Sequence, residues 1–430
     1  MKSIKQPSKS RRVFLRQAGA AIAGAVTAPA WFSQGHLLAH PSVLGSNERI
    51  QTGHIGVGNQ GKGNLKKLVQ HAVAVCEVDS ERLGQAKDQV AKAMKRSCAT
   101  FSDYRKLLDS KDVDAVVITT PDHWHAQITV DACAAGKDVY CEKPLTLTVA
   151  EGRAMVNAAR KHQRIVQTGS QQRSDDRFRL ACELVRSGRL GKIETVRCGI
   201  SGVNMKCMRV ADSEPPAVLG YDFWLGPAPK RPYNLQRVHY NFRFFWDYSG
   251  GQMTNWGAHH LDIAQWGLGM DDSGPVSIEG KARYPKDGLY EVPEWCEIVY
   301  RYDNGVTMIC GQSQKGGTTF VGAKGSIHVN RKEITSKPGD ITEQALGEKD
   351  VHLYASKDHH ANWLDCIKSR KLPICDVEIG HRSATVCHLG NIAVRTGRKL
   401  TWDPVKETIV GDDEAAGMLS RPYRAPWKLG

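Results

Sequence analysis

From Arg49 onward, short apolar runs alternate with amphipathic stretches. Ile50–Val57, Ala72–Glu77, Ala115–Thr119, Asp138–Cys141 and Ile165–Thr168 are brief and rich in Val, Ile and Ala, as strands buried on both faces are. Between them Leu65–Gln70, Ser80–Lys95, His125–Ala135 and Val149–Lys161 read as helices. Strand, helix, strand at this rhythm predicts an α/β, doubly wound parallel sheet over residues 49–168. Near Gly169 the rhythm changes. Glu194–Val203 and Trp295–Tyr302 are long strand-like runs. In the second, Cys296, Ile298, Tyr300 and Tyr302 share one face, and Glu297, Val299 and Arg301 the other. Asp303-Asn304-Gly305 then supplies a tight turn into Val306–Cys310. Residues 169–430 are therefore expected to form a second, α+β domain with a large, mostly antiparallel open sheet, whose exposed face suits a homo-oligomer contact. Helices are expected at His359–Lys368 and Arg382–Arg395, and an extended Pro- and Arg-rich segment at Leu419–Trp427.

The first 48 residues follow another grammar. Ser10-Arg11-Arg12-Val13-Phe14-Leu15-Arg16 precedes a small-residue apolar segment, Ala18–Phe32, with Ala28-Pro29-Ala30 as a cleavage site. This resembles a twin-arginine signal peptide over 1–30 followed by a linker over 31–48, and predicts export to the periplasm. The segment falls short of the roughly 20 apolar residues of a membrane span, so no stable span is expected after processing. A basic tail with an Ala-rich helix, or an uncleaved anchor, is the competing account. Net charge is +14, but six of the basic residues lie in the first thirty positions without an acid. The others are scattered, which argues against a nucleic-acid partner. Twelve cysteines without a C-x-x-C or a zinc-like Cys/His spacing predict core thiols and no metal. Cys76, Cys133, Cys182, Cys310 and Cys387 all sit in apolar patterns.

Gly56-Val57-Gly58-Asn59-Gln60-Gly61 is a G-x-G-x-x-G. Alone it is a weak signal and could be a plain turn. Here it follows a strand and opens a helix, and the second strand ends at Glu77, twenty-one residues after Gly56. That is the Rossmann fingerprint. The glycines let backbone approach a pyrophosphate at a helix N-terminus. Glu77 is placed to bind the adenosine ribose, and its charge would repel a 2′-phosphate, favouring NAD over NADP. Asp79 is an alternative ribose ligand.

Asp138-Val139-Tyr140-Cys141-Glu142-Lys143-Pro144 ends a strand in Glu-Lys-Pro, after Thr120-Pro121-Asp122-His123-Trp124-His125. With the glycine motif, these residues resemble the glucose–fructose oxidoreductase / inositol dehydrogenase (Gfo/Idh/MocA) family over roughly residues 49 to 430. The resemblance implies an NAD(P)-dependent oxidoreductase acting on CH–OH groups. It implies cofactor contacts from Gly56, Gly58, Asn59, Gln60, Gly61, Thr120, Pro121, His125, Glu142 and Lys143. It also implies a catalytic set of Lys143, which holds a substrate hydroxyl or a developing alkoxide, and His259, which takes the proton. Asn255 stands where the family usually has aspartate, so no carboxylate would support His259. If Asn255–Asp262 is one helix, Asn255, His259 and Asp262 share a face.

Arg173, Tyr248, His259 and Asp262 are the candidate substrate contacts. Asp122, Gln171, Gln172 and Asp247 are further polar candidates, and Trp224, Trp246 and Trp256 could stack on a sugar ring. The expected function is hydride transfer between a sugar or polyol hydroxyl and a tightly held nicotinamide. Two alternatives stay open: an NAD-dependent glycoside hydrolase working by transient oxidation and elimination, and a non-catalytic nucleotide and sugar sensor.

Overall fold

β1 (Thr52–Ile55) runs through the interior of a six-stranded parallel sheet and is buried at every residue. The computed structural model describes residues 49–206 and 208–430, so the expected signal peptide and linker lie outside the described residues. After β1 come α1 (Asn59–Leu68), β2 (Ala72–Cys76), α2 (Ser80–Met94), β3 (Ala99–Phe101) and α3 (Tyr104–Leu108). They are followed by β4 (Ala115–Ile118), α4 (Asp122–Ala134), β5 (Asp138–Cys141), α5 (Val149–Lys161) and β6 (Val166–Thr168). The strand order β3-β2-β1-β4-β5-β6 is doubly wound, with winding reversed between β1 and β4. β3 is not expected from the sequence, because this three-residue edge strand carries no buried residue and no apolar run.

The second half starts with α6 (Asp176–Arg186), β7 (Ile193–Gly199), α7 (Tyr221–Leu225), α8 (Gly251–Asn255) and α9 (Gly257–Leu268). Then come β8 (Ser277–Arg283), β9 (Trp295–Arg301), β10 (Thr307–Gly311), β11 (Gly317–Gly322), β12 (Gly325–Val329) and β13 (Ile334–Lys337). The chain closes with α10 (His359–Ser369), α11 (Val377–Thr396), β14 (Leu400–Asp403), β15 (Thr408–Val410) and α12 (Asp413–Gly417). Nine strands form an open sheet in the order β13-β12-β11-β7-β10-β9-β8-β14-β15, antiparallel except where β7 meets β10. In β9, Cys296, Ile298 and Tyr300 are buried and Glu297, Val299 and Arg301 face away, the alternation expected. Gly305 takes φ +86 in the turn to β10, a conformation L side chains resist. The inner face packs Phe178 of α6, Leu261 of α9 and Leu389 of α11 against Ile298, Met308 and Phe320.

Two late helices cross to the first sheet. Val116 and Ile118 of β4 face one core with α4 and α5, while Ala115 and Val117 face Trp363, Cys366 and Ile367 of α10. A parallel sheet needs cover on both faces, and here α10 adds to the cover that Leu68 of α1 begins. α11 packs against both α5 and α9. Around it Arg153 joins Glu378 at 2.8 Å and Glu407 at 2.7 Å, and Arg160 pairs with Asp376. The eleven described cysteines are buried free thiols, as the absence of paired spacing suggested.

Three substrate candidates prove to be interior. Arg173 donates to both carboxylate oxygens of Asp262, at 3.0 and 2.9 Å, and to Asp271 at 2.7 Å. Ser383 of α11 donates to Asp262 at 2.7 Å. With side chains 1% and 0% exposed, Arg173 and Asp262 lie off the groove and tie the turn after β6 to α9 and α11. Tyr248 is buried among His123, Trp224 and Phe245 and does not line the groove. Spacing alone cannot separate a buried ion pair or an aromatic core from a ligand site. Arg173→Ala leaves Asp262 buried and uncompensated, so a loss of roughly 3–5 kcal/mol is expected in a urea unfolding curve. A double Arg173→Met/Asp262→Leu variant is expected to recover part of it.

Candidate active site

The groove opens at the carboxyl ends of β1, β4 and β5, where winding reverses. Gly56 has φ +81, and a Cβ there would lie 2.7 Å from the Thr119 carbonyl oxygen. A Cβ on Gly61 would lie 2.2 Å from the Gly56 carbonyl oxygen. Both positions therefore need glycine. α1 begins at Asn59, earlier than the expected Leu65, because glycines and amides hide helical periodicity in its first turn. Gly58 caps it without a side chain, and its first turn carries no acid. Unpaired N–H groups at the positive end of the helix dipole are left for an anion. Gly58, Asn59, Gln60, Thr120, Pro121, His125, Glu142 and Lys143 line the same groove. Thr120 Oγ1 is buried without a partner, a group a ligand would satisfy. These features fit a dinucleotide.

Glu77 lines the groove but is already committed. Its carboxylate accepts from Val57 N at 3.0 Å, Val78 N at 2.8 Å and Asp79 N at 3.3 Å. It braces the glycine turn, so the expectation of a free ribose ligand is too simple. Burial pushes its pKa up, against those N–H bonds. Asp79 caps α2 through Glu81 N and Arg82 N, and both Asp79 and Arg82 line the groove.

Lys143, at the end of β5, donates to the Asn255 carbonyl oxygen at 3.0 Å and to Asn255 Oδ1 at 2.9 Å. The carbonyl is free because the helix breaks there. His259 N bonds Trp256 O instead, and α8 ends as α9 begins. Asn255, His259 and Asp262 thus do not share one continuous helical face. Burial pushes the Lys143 ammonium down to about 8. His259 is not among the groove-lining residues; it is buried, and its Nδ1 lacks a partner. Burial, then the charges of Lys143 and Arg331, hold its pKa well below the usual imidazole range, so it is neutral.

Both ring nitrogens of His125 face carbonyl oxygens, Nδ1 that of Pro144 at 2.8 Å and Nε2 that of Thr120 at 2.9 Å. Burial opposes a charge there, but Cys141, Asp122 and the Pro144 bond push its pKa up to about 10. A doubly protonated His125 clasps the turns after β4 and β5. Glu142 accepts from Gln60 at 3.1 Å and Asn64 at 2.9 Å.

A short turn, residues 239–244, borders the groove along its length. His239 lies 3.8 Å from Asp79, and Arg243 reaches the Lys143 end. Sequence reasoning missed Arg243, although the alternating basic and aromatic residues from His239 to Trp246 are a signal. Among the tryptophans, Trp224 lines the groove, whereas Trp256 stacks with Arg331 at 5.0 Å and Trp246 with Arg395 at 4.8 Å. Asp122 lines it too, while Asp247 pairs with Arg231.

Residues 50–170 match the NAD-binding Rossmann fold of the Gfo/Idh/MocA oxidoreductase family, and residues 180–429 match its C-terminal alpha/beta domain. The chain belongs to the Gfo/Idh/MocA oxidoreductase family. Among similar members, inositol 2-dehydrogenase of Salmonella typhimurium is 33% identical over 149 residues, 33% of this chain and 43% of that protein. Alpha-N-acetylgalactosaminidase of Shewanella oneidensis is 31% identical over 172 residues, 36% of this chain and 38% of that protein. The chain thus spans less than half the length of these relatives. Two solved structures share the fold. The WlbA dehydrogenase of Bordetella pertussis, in complex with NADH and UDP-GlcNAcA, gives a TM-score of 0.61 at 19% identity, over 83% of this chain and 99% of that one. The aldose-aldose oxidoreductase of Caulobacter crescentus gives 0.59 at 20% identity, over 82% and 100%. For an NAD-binding fold of this family, Gly61→Ala is expected to weaken NAD binding at least about tenfold with circular dichroism unchanged. Unaltered affinity by calorimetry would place the nucleotide elsewhere.

Proposed function

We propose that the protein oxidises a carbinol of a sugar or polyol, with NAD held in the groove. What carries this reading is Lys143, set beside the cofactor-binding turns with two N–H groups committed to Asn255. Once the amine is neutral, only its lone pair remains to face the groove. Its pKa of about 8 gives a substantial neutral fraction at mildly alkaline pH. The substrate hydroxyl binds Nζ, and its proton passes from oxygen to nitrogen. NAD, when bound, supplies the acceptor for the hydride. His259, neutral and off the groove wall, is a neighbour of Lys143 rather than the proton acceptor. Asn255 orients the amine without the charge an aspartate would add. The carboxylates of Glu77 and Asp79 favour NAD over NADP.

Support for export comes from the twin-arginine grammar of the leader, and we include periplasmic location in the proposal. In that setting a nucleotide loaded before transport and retained would be recycled on the enzyme. We also include self-association through the face of the nine-stranded sheet that turns away from α9 and α11.

A second reading is favoured by the name of the Shewanella oneidensis relative: glycoside cleavage by transient oxidation and elimination. Incubation with glycosides in heavy water separates the two. Deuterium beside the anomeric carbon of the released sugar indicates the hydrolase, and an accumulating lactone or keto-sugar the oxidoreductase.

The pH dependence follows from Lys143. The amine must be unprotonated to accept, so kcat/KM for oxidation is expected to rise as pH climbs through about 8 and then level. Asn255→Asp adds a negative charge beside the ammonium and is expected to move this limb to higher pH. Lys143→Arg is expected to lower the rate roughly 10²–10⁴-fold and abolish the limb. A limb that stays in Lys143→Arg and vanishes in His259→Asn would assign the proton to His259 instead.

A further inference from the structure

Lys143 starts a chain of side chains that ends beneath Arg243. Asn255 Nδ2 donates to Gln252 Oε1 at 2.9 Å. Gln252 Nε2 reaches the Gly202 carbonyl oxygen at 2.9 Å and Asn204 Oδ1 at 3.4 Å. Asn204 Nδ2 donates to Tyr240 Oη at 2.9 Å. The Arg243 guanidinium lies over the Tyr240 ring at 3.9 Å and the Phe242 ring at 4.8 Å, and donates to the Tyr240 carbonyl oxygen. Lys143 and Arg243 therefore belong to one wall at one end of the groove. Arg331, stacked on Trp256 and bonded to Gln172 at 3.0 Å, adds a third positive charge nearby.

None of these three cations has an ion-pair partner among the described residues, whereas nearby arginines do. Arg231 meets Glu291 at 3.3 Å, Arg237 meets Asp212 at 3.2 Å, and Arg421 meets Glu151 at 3.1 Å. The local acids are engaged or weakened. Glu142 is held by Gln60 and Asn64. Asp122 accepts from the Ser249 hydroxyl; burial raises its pKa, and the charge it keeps is divided among His125, Arg243 and Lys143. Asn255 contributes no charge. Burial also lowers the pKa of Arg243, a cost that an anion in the groove would remove.

We propose that the substrate end of the groove takes a sugar acid, its carboxylate bound by Arg243 while a hydroxyl meets Lys143. This rests on the sugar or polyol reading above and narrows it to uronates and aldonates. The planar fork of Arg243, held by its ring contacts, suits a carboxylate better than a neutral hydroxyl.

Binding, rather than turnover, is the test. The full chain is saturated with NAD, and tryptophan fluorescence is titrated with matched pairs: D-glucuronate and D-glucose, D-galacturonate and D-galactose, D-gluconate and D-glucitol. In at least one pair the acid is expected to bind at least tenfold more tightly, by a margin that shrinks with salt. In Arg243→Gln, shown folded by circular dichroism, that ratio is expected to approach one while NAD affinity holds. The proposal is overturned if neutral sugars bind as well, if no acid binds, or if the ratio survives in Arg243→Gln. It is equally overturned if Arg243→Gln weakens NAD binding by the same factor, because Arg243 then serves the cofactor. Tight acid binding with no NADH formed would instead reject the dehydrogenase reading and leave this one standing.

Discussion

A parallel sheet with an uncovered face cannot persist in water, and this constraint organises the molecule. Residues 49–168 supply α4 and α5 for one face of β4 and β5, but on the other only the end of α1, at Leu68, joins the core. Trp363, buried completely against Ala115, Val117 and Tyr140, fills that gap from nearly two hundred residues downstream of Val166. Removing so large a buried ring typically costs about 3–5 kcal/mol. α11 then runs between α5 and α9, clamped by the arginine pairs at Glu378, Glu407 and Asp376. The nucleotide-binding and sheet-bearing halves are therefore not free to part.

That rigid union makes a contact between residues 143 and 255 useful. Lys143 belongs to a strand end of the first sheet and Asn255 to the last turn of α8. Their geometry depends on a helix that stops one residue short of its natural continuation and exposes a carbonyl. On the opposite side of the same turns, His125 fixes the backbone after β4 and β5 with two hydrogen bonds. The amine is held by neutral oxygens and by burial, so its basicity depends on solvation more than on charge pairing.

Much of this was legible in the chain. The glycine fingerprint, Glu-Lys-Pro and the strand rhythm indicated the first sheet, and alternation in Trp295–Tyr302 with its Asn-Gly turn indicated the second. What escaped was long-range. No local pattern tells that His359–Ser369 returns to the first sheet, nor that Arg173 faces Asp262 across 89 positions. The spacing of Asn255, His259 and Asp262 puts them on one face only if the segment is a single helix, and it does not tell that hydrogen bonding shifts from one carbonyl to the next at Trp256. Glu77 was placed correctly at the strand end. Its commitment to three backbone N–H groups is a matter of side-chain direction, which spacing does not encode.

The buried thiols have a consequence of their own. All eleven described cysteines are buried and unpaired, ten of them within the cores that flank the two sheets. Opened in an oxidising medium, the described cysteines would offer many wrong cross-links and no native one among them to guide the chain back. In such a medium its persistence would be a matter of how slowly it opens rather than how favourably it closes.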